Sequence, residues 1–347
     1  MTDTETSVLQ LTEVAQLLSD ADARRREDAG MRRADLIAPA GSYARIAPRL
    51  INLEPATPGA DRYKKDLSKA IENYDSIHRL VFTDAIVTGQ GTVVTRSSLL
   101  LHDSCWEMLA NRITPAGLKY GADGNLAMAN KPSRRIERPS LLVKRPWWRN
   151  YGHWLVDSAA QLALVPGVMM PSDWQIVIGA YDDPAMRRIV QETLALLAPG
   201  IPVIEHADHE TWVFSELHFI PPVSRPGLFK LPQGLAALRA RILPLGRPRS
   251  DNKRFYISRG TDGKRRLINN DAIVKLCVDR GFTIVEPENY SLEEQARLFQ
   301  GAEIIVGVKG AALSNLIFAT SSCAVVVLTP LGWGDTFFWD IAALLSG

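Results

Sequence analysis

Apolar and polar positions change rhythm along the chain. Over the first 79 residues, helical spacing covers 10–26 and 64–80, and the intervening PATPGAD reads as a loop. This stretch predicts a helical or irregular N-terminal extension, 1–79. From Val81 short apolar blocks (VFTDAIVT, GQGTVVT, SSLLLHD) predict strands, with Gly89 and Gly91 at a hairpin-like turn. A strand over 140–143 then leads into a helix over 151–164. WQIVIGA reads as a buried strand, and DDPAMRRIVQETLALLA as a helix with Pro184 in its first turn. PVIEH and WVFSELHFIP are strands, and 232–244 is a helix. Strands and helices alternating in this way predict a first α/β domain over 80–245.

GRPRSDNKR, mixing Pro, Gly and charge, reads as a linker. Beyond it, over 246–347, the alternation is cleaner. RFYISR, FTIVEP, EIIVGV and CAVVVLTP are strands. Between them lie a helix stopped by Gly281, a helix with a capping box formed by Ser291 and Glu294, and the expected helix GAALSNLIFA. This predicts a compact doubly wound sheet, and two α/β domains in tandem.

Composition removes alternatives. With 46% hydrophobic and 22% charged residues in 347, the chain is neither disordered, collagen-like nor a simple coiled coil. Forty Lys and Arg against 38 Asp and Glu leave no global field for nucleic acid. Cys105, Cys277 and Cys323 are odd in number and far apart, which suits a reducing compartment better than a disulfide framework. No basic start leads into an apolar core, and no uncharged apolar run reaches the roughly 18 residues of a spanning helix. The expectation is a cytoplasmic protein without a transmembrane segment, with peripheral membrane association left open.

Three segments could carry chemistry. In VGVKGAALSN a strand ends at Gly307 and a helix opens near Gly310, where Ala311 and Ala312 would let an anion approach free backbone N–H groups. Lys309 adds charge there, and Ser314 and Asn315 sit one turn in. The bland alternative is tight packing and a solvated Lys309. NKRFYISRGTDGKRR concentrates charge: residues 251–266 hold six Lys or Arg against two Asp. Arg259 follows the strand, and Lys264, Arg265 and Arg266 follow a flexible GTDG loop suited to a diphosphate, unless the run is merely solvated. RPWWRNYGHWLVDSAAQL sets His153 and Asp157 four apart on one helix face, a general base with an orienting partner. Trp148, Arg149, Tyr151 and Trp154 beside them would suit a sugar, although the aromatic residues could equally be core. EHADHE has metal-like spacing but no ordered ligand pattern, and reads as an exposed loop.

Taken in order, NYGHWLVDSAAQL, FYISRGTDGKRRLINN, the stretch from GFTIVEPENYSL to GVKGAALSNLIF, and CAVVVLTP resemble the family 61 glycosyltransferases over about 80–330. The resemblance implies two Rossmann-like domains facing each other (GT-B type) and inverting transfer from a nucleotide-sugar donor, a UDP-sugar foremost. It implies no obligatory metal or other cofactor, and a glycan or lipid-linked acceptor in cell-surface polysaccharide synthesis of the capsular type. Arg259 and Arg266 match the family's paired arginines. Gly307, Gly310, Ser314 and Asn315 match its glycine turn, and His153, Trp154 and Asp157 its HW..D motif. Asp157 is then the expected base, with His153 its partner. Lys309 replaces a usual His, Ala312 a usual Gly, and Val327 stands near a usual acidic position. These departures keep two other readings in play: a non-catalytic nucleotide-sugar-binding relative, and a pyruvyl or phosphoryl transferase acting on polysaccharide.

Overall fold

The computed structural model describes residues 8–19, 23–53, 60–165, 170–225, 229–243, 253–258, 267–330 and 335–345. The chain is α/β and divides into two compact units. Unit 1 comprises Met1–Pro39, Asp75–Pro184 and Ala198–Val223; unit 2 comprises Ala40–Tyr74, Ala185–Leu197 and Ser224–Gly347.

Unit 1 holds two six-stranded sheets. The first runs in the order Val203–His206, Gln175–Gly179, Ser140–Leu142, Leu217–Phe219, Ile77–Phe82, Met31–Ala38. Its first four strands are parallel, and the last two pair antiparallel. The second runs Gln10–Thr12, Leu99–Leu101, Thr92–Val94, Ala85–Thr88, Thr211–Phe214, Arg134–Ile136, and is parallel only in its two outermost pairs. One core joins them: Leu80, Phe82, Leu142, Val177 and Leu217 from the first, Val87, Val93, Leu101, Trp212 and Phe214 from the second. The chain crosses between sheets at short corners, one of them Thr83–Asp84, where Asp84 takes a left-handed φ of 56°. VFTDAIVT is therefore two strands in two sheets, because that corner breaks the apolar run. Of the Rossmann-like sheet that the resemblance implies for this region, the first sheet shows four adjacent parallel strands.

The first 79 residues, expected as an extension, supply strands to both units. Gln10–Thr12 and Met31–Ala38 are edge strands of unit 1, and Gly41–Ala44 pairs with Ile71–Tyr74 as a hairpin in unit 2. The helices expected over 10–26 and 64–80 are shorter: Val14–Leu18, Ala23–Asp28 and Ala60–Ser68. The helix Pro184–Leu197 links two strands of unit 1 in sequence, yet its residues 185–197 group with unit 2, where Glu192 accepts from the Leu292 N–H at 2.7 Å.

Unit 2 carries a four-stranded parallel sheet in the order Thr283–Val285, Arg254–Ile257, Ile304–Val308, Ala324–Leu328. Its helices begin and end as their sequence dictates. Asn270–Asp279 stops before Gly281, at φ 75°, and Leu292–Gln300 starts at Ser291, whose Oγ accepts from the Glu294 N–H while Glu294 accepts from the Ser291 N–H. The segment after Ile304–Val308 is a 3₁₀ helix, Ala311–Phe318, and not the expected α-helix. Buried Arg45 pairs with Glu72 (2.9 Å) and Asp340 (2.5 Å), tying the hairpin to the last helix, Phe337–Ala343.

Candidate active site

The helix that carries the expected catalytic pair opens at Asn150, whose Oδ1 accepts from the N–H groups of Gly152 (2.8 Å) and His153 (3.4 Å). Two of the donors a helix start leaves unpaired are satisfied in this way. After one α-turn the backbone widens into a π-helical stretch, Trp154–Ala159, before closing again as Ala160–Ala163. Such widenings cost backbone regularity and concentrate at functional positions. Gln161 Nε2 donates to the Leu142 carbonyl and Ser158 Oγ to that of Val143, both at 2.9 Å, which locks the helix to the neighbouring strand.

His153 Nδ1 and Asp157 Oδ2 stand 2.8 Å apart. His153 lines a pocket of about 340 Å³, whereas Asp157 is buried and its Oδ1 has no hydrogen-bond partner among the described residues. Arg145 is also fully buried. It donates to Gln161 Oε1 (2.7 Å from Nε) and to the Ile220 carbonyl. Burial pulls its guanidinium down to about 10, against the attraction of Asp157 and Asp103.

The other pocket walls are Gln90, Trp147, Trp148, Arg149 and Asn150. Trp147 takes a left-handed φ of 62°, and Gln90 Oε1 accepts from its N–H at 2.9 Å. Asp208 organises the opposite side. Its Oδ1 accepts from Trp148 Nε1 (3.0 Å) and pairs with Lys144 Nζ (2.7 Å), and its Oδ2 accepts from Arg149 (2.6 Å). Lys144 also donates to the carbonyls of Gly89 and His206, at 2.6 and 2.8 Å. Burial lowers Lys144 to about 8 although Asp208 opposes the shift. Burial pushes the Asp208 carboxyl up, but Lys144, Arg149 and Trp148 outweigh it and hold it below the usual range.

EHADHE is thus an exposed loop only in part: Glu205 and His206 end a strand, and 207–210 form a turn in which His209 is exposed. His206 is fully buried at the end of Val203–His206, and burial followed by the charge of Lys144 drives it down to about 3. Of the expected acceptor residues, Arg149 lines the pocket with its side chain 54% exposed, and Tyr151 is half-buried. Trp148 and Trp154 are buried at 1% exposure and meet Tyr181 edge-on, with ring centroids 4.6 and 6.0 Å away. Gln90, Trp147, Asn150 and Asp208 were missed. An Asn just before a helical stretch was the one available signal among them, since Gln90 and Asp208 reach the site from nearly sixty residues away.

In unit 2, Gly307 and Val308 end the strand and Gly310 precedes the 3₁₀ helix in extended backbone. Lys309 is buried and donates to the Asp335 carbonyl (2.6 Å), with the Asp335 carboxylate 3.0 Å away, so it is not the solvated charge of the bland reading. Asn315 Nδ2 donates to Gln295 Oε1 (2.7 Å) and to the Ala312 carbonyl (3.1 Å). Ser314 is buried and its Oγ has no partner among the described residues; Ala311 is half-buried. Arg259, Lys264, Arg265 and Arg266 lie outside the described residues. Among the described residues no group of three His, Cys, Asp or Glu could hold a metal ion. No described helix is long and apolar enough to cross a membrane.

The family model for Glycosyltransferase 61 matches residues 151–326, half of the chain. The chain belongs to glycosyltransferase family 61. The matched region of this family 61 protein opens on Tyr151, at the start of the helix bearing His153 and Asp157, and ends within the strand Ala324–Leu328. Gln90 and 147–150, which build much of the pocket, precede it. No curated protein matches the chain.

Proposed function

We propose that this family 61 glycosyltransferase transfers a sugar, with inversion, from a nucleoside-diphosphate sugar to a hydroxyl of a glycan or lipid-linked acceptor, in cytoplasmic synthesis of a cell-surface polysaccharide. Unit 1 is the acceptor side and unit 2 the donor side of a GT-B pair. The observation that carries the acceptor assignment is the His153–Asp157 contact of 2.8 Å at a pocket wall. The geometry favours exchanging the roles expected from sequence. His153 faces the pocket and takes the proton from the acceptor hydroxyl, while buried Asp157 fixes the imidazole and stabilises the imidazolium. The hydroxyl oxygen forms its bond to the anomeric carbon as the bond to the diphosphate breaks.

Leaving-group charge falls to Arg259, Arg266 and Lys309, with Lys264 and Arg265 beside them, and needs no metal on this reading. Gly310 and Ala311 leave room for the diphosphate, Gly307 lets Leu313 and Ile257 pack close beneath it, and Ser314 and Asn315 support the turn. Lys309, where the family usually has His, supplies charge but no base, which is consistent with placing the base in unit 1. Thermal-shift screening across UDP-, GDP-, CMP- and dTDP-sugars tests the donor assignment: stabilisation by one nucleotide class is expected, and none by any would overturn it.

A further inference from the structure

The pocket beside His153 is lined by six residues, none of them a carboxylate: Gln90, Trp147, Trp148, Arg149, Asn150 and His153. Apart from His153, the base of the proposed reaction, its side-chain acceptor atoms are engaged within the protein. Gln90 Oε1 accepts from the Trp147 N–H, and Asn150 Oδ1 from those of Gly152 and His153. Each amide therefore keeps its NH₂ group, and Gln90 Oε1 a second lone pair. Arg149 has no acceptor and uses one nitrogen on Asp208, and the indole of Trp147 is a donor only. Asp208, the carboxylate behind this wall, has both oxygens engaged by Lys144, Trp148 and Arg149. Lys144 and Arg149 share that one anion as their ion-pair partner, while Glu210 also attracts Lys144.

A neutral sugar hydroxyl both donates and accepts, and finds few acceptors here. An oxyanion accepts only, and matches a wall of donors backed by a cation. We infer that the donor-rich wall formed by Gln90, Trp147, Arg149 and Asn150 binds an oxyanion on the acceptor, either the carboxylate of an acidic sugar or a phosphate group, and so holds the neighbouring hydroxyl at His153. The inference rests on reading this pocket as the acceptor side. Arg149 is its principal charge, and the guanidinium lies 4.0 Å over the Trp148 ring, where a carboxylate or phosphate can be met by two parallel N–H groups.

The test is saturation-transfer NMR titration of the full chain with sodium glucuronate, methyl glucoside and inorganic phosphate, on wild type, Arg149→Gln and Gln90→Leu. Arg149 is half exposed, so its replacement leaves the fold intact, and circular dichroism checks this. The expected result is anion binding at least about tenfold tighter than methyl glucoside, weakened about tenfold or more by Arg149→Gln and less by Gln90→Leu. Glucuronate ahead of phosphate assigns the acidic sugar; phosphate ahead of glucuronate assigns the phosphate group. Methyl glucoside binding as well as either anion, or undiminished anion binding in Arg149→Gln, would overturn the inference. UDP binding is titrated separately, and its absence alongside Arg149-dependent anion binding would remove the donor assignment and leave this one standing.

Discussion

Gly179 lies against the indole of Trp148 so closely that a Cβ on Gly179 would stand 2.2 Å from Trp148 Cδ2. The wall of the pocket beside His153 is thus set by the end of an interior strand, Gln175–Gly179, through a residue with no side chain. The clash is with a ring held by Asp208 and Tyr181, and the ring cannot swing away cheaply. Gly179→Ala is expected to cost about 1–3 kcal/mol of stability by overpacking, measured by denaturant unfolding, and to weaken ligand binding at the pocket. Wild-type stability with unchanged Trp fluorescence would contradict this packing.

His206 gives the fold an acid sensitivity with a defined window. Burial, then Lys144, lowers its pKa from the ordinary 6.5 to about 3. Below 6.5 the unfolded chain takes up a proton that the folded chain refuses, so stability falls as pH drops from 6.5 toward 3. Were the shift fully expressed, the loss would be on the order of a few kcal/mol. The difference in unfolding free energy between wild type and His206→Gln, followed from pH 7 to 4, should shrink across this window. A difference independent of pH would place His206 in a wetter site.

Much of unit 2 is legible in the sequence because its elements are long, periodic and punctuated by local signals. Ser291 with Glu294 marks a helix start, and Gly281 a helix stop. Unit 1 is less legible because its strands are often three residues long, and a three-residue strand has no period to read. The stretch 64–80 looked helical, yet the chain leaves its helix at Ser68 and extends at Ile71, where pairing with Gly41–Ala44 overrides local spacing. Ala311–Phe318 shares its apolar pattern with an α-helix, and the tighter 3₁₀ winding leaves no distinct mark. At the site, the His153–Asp157 spacing is a local signal and was readable. Asp208 was not: its role comes from Lys144 and Arg149, which the fold brings to it from about sixty residues away.

Lys309 and Asp335 bear on the donor side in opposite senses. Their 3.0 Å contact neutralises a cation that the proposed diphosphate would need. Lys309→Met is expected to weaken nucleoside-diphosphate binding by roughly tenfold or more, since charge-assisted bonds are lost. Asp335→Asn removes the competing carboxylate and is expected to hold or improve affinity. Isothermal titration with UDP and GDP on both variants checks the pair, and equal affinity of Lys309→Met and wild type would take Lys309 out of the donor site.

The pocket's entry helix yields a smaller prediction. Asn150→Ala removes the cap on Gly152 and His153 and should cost about 1 kcal/mol. It should also loosen His153, lowering kcat more than it raises KM. A pure stability loss with unaltered kcat would make Asn150 structural only.

The most direct test of the account is nucleoside-diphosphate release from the sugar donor identified by thermal shift, with acceptor present, for wild type, His153→Ala, Asp157→Asn and the double variant. The account predicts undiminished donor affinity in all four. It also predicts release slowed about 10²–10⁴-fold in each single variant and little further in the double, because the two residues act as one unit. Full-rate transfer by His153→Ala or Asp157→Asn, with donor still bound, would contradict it.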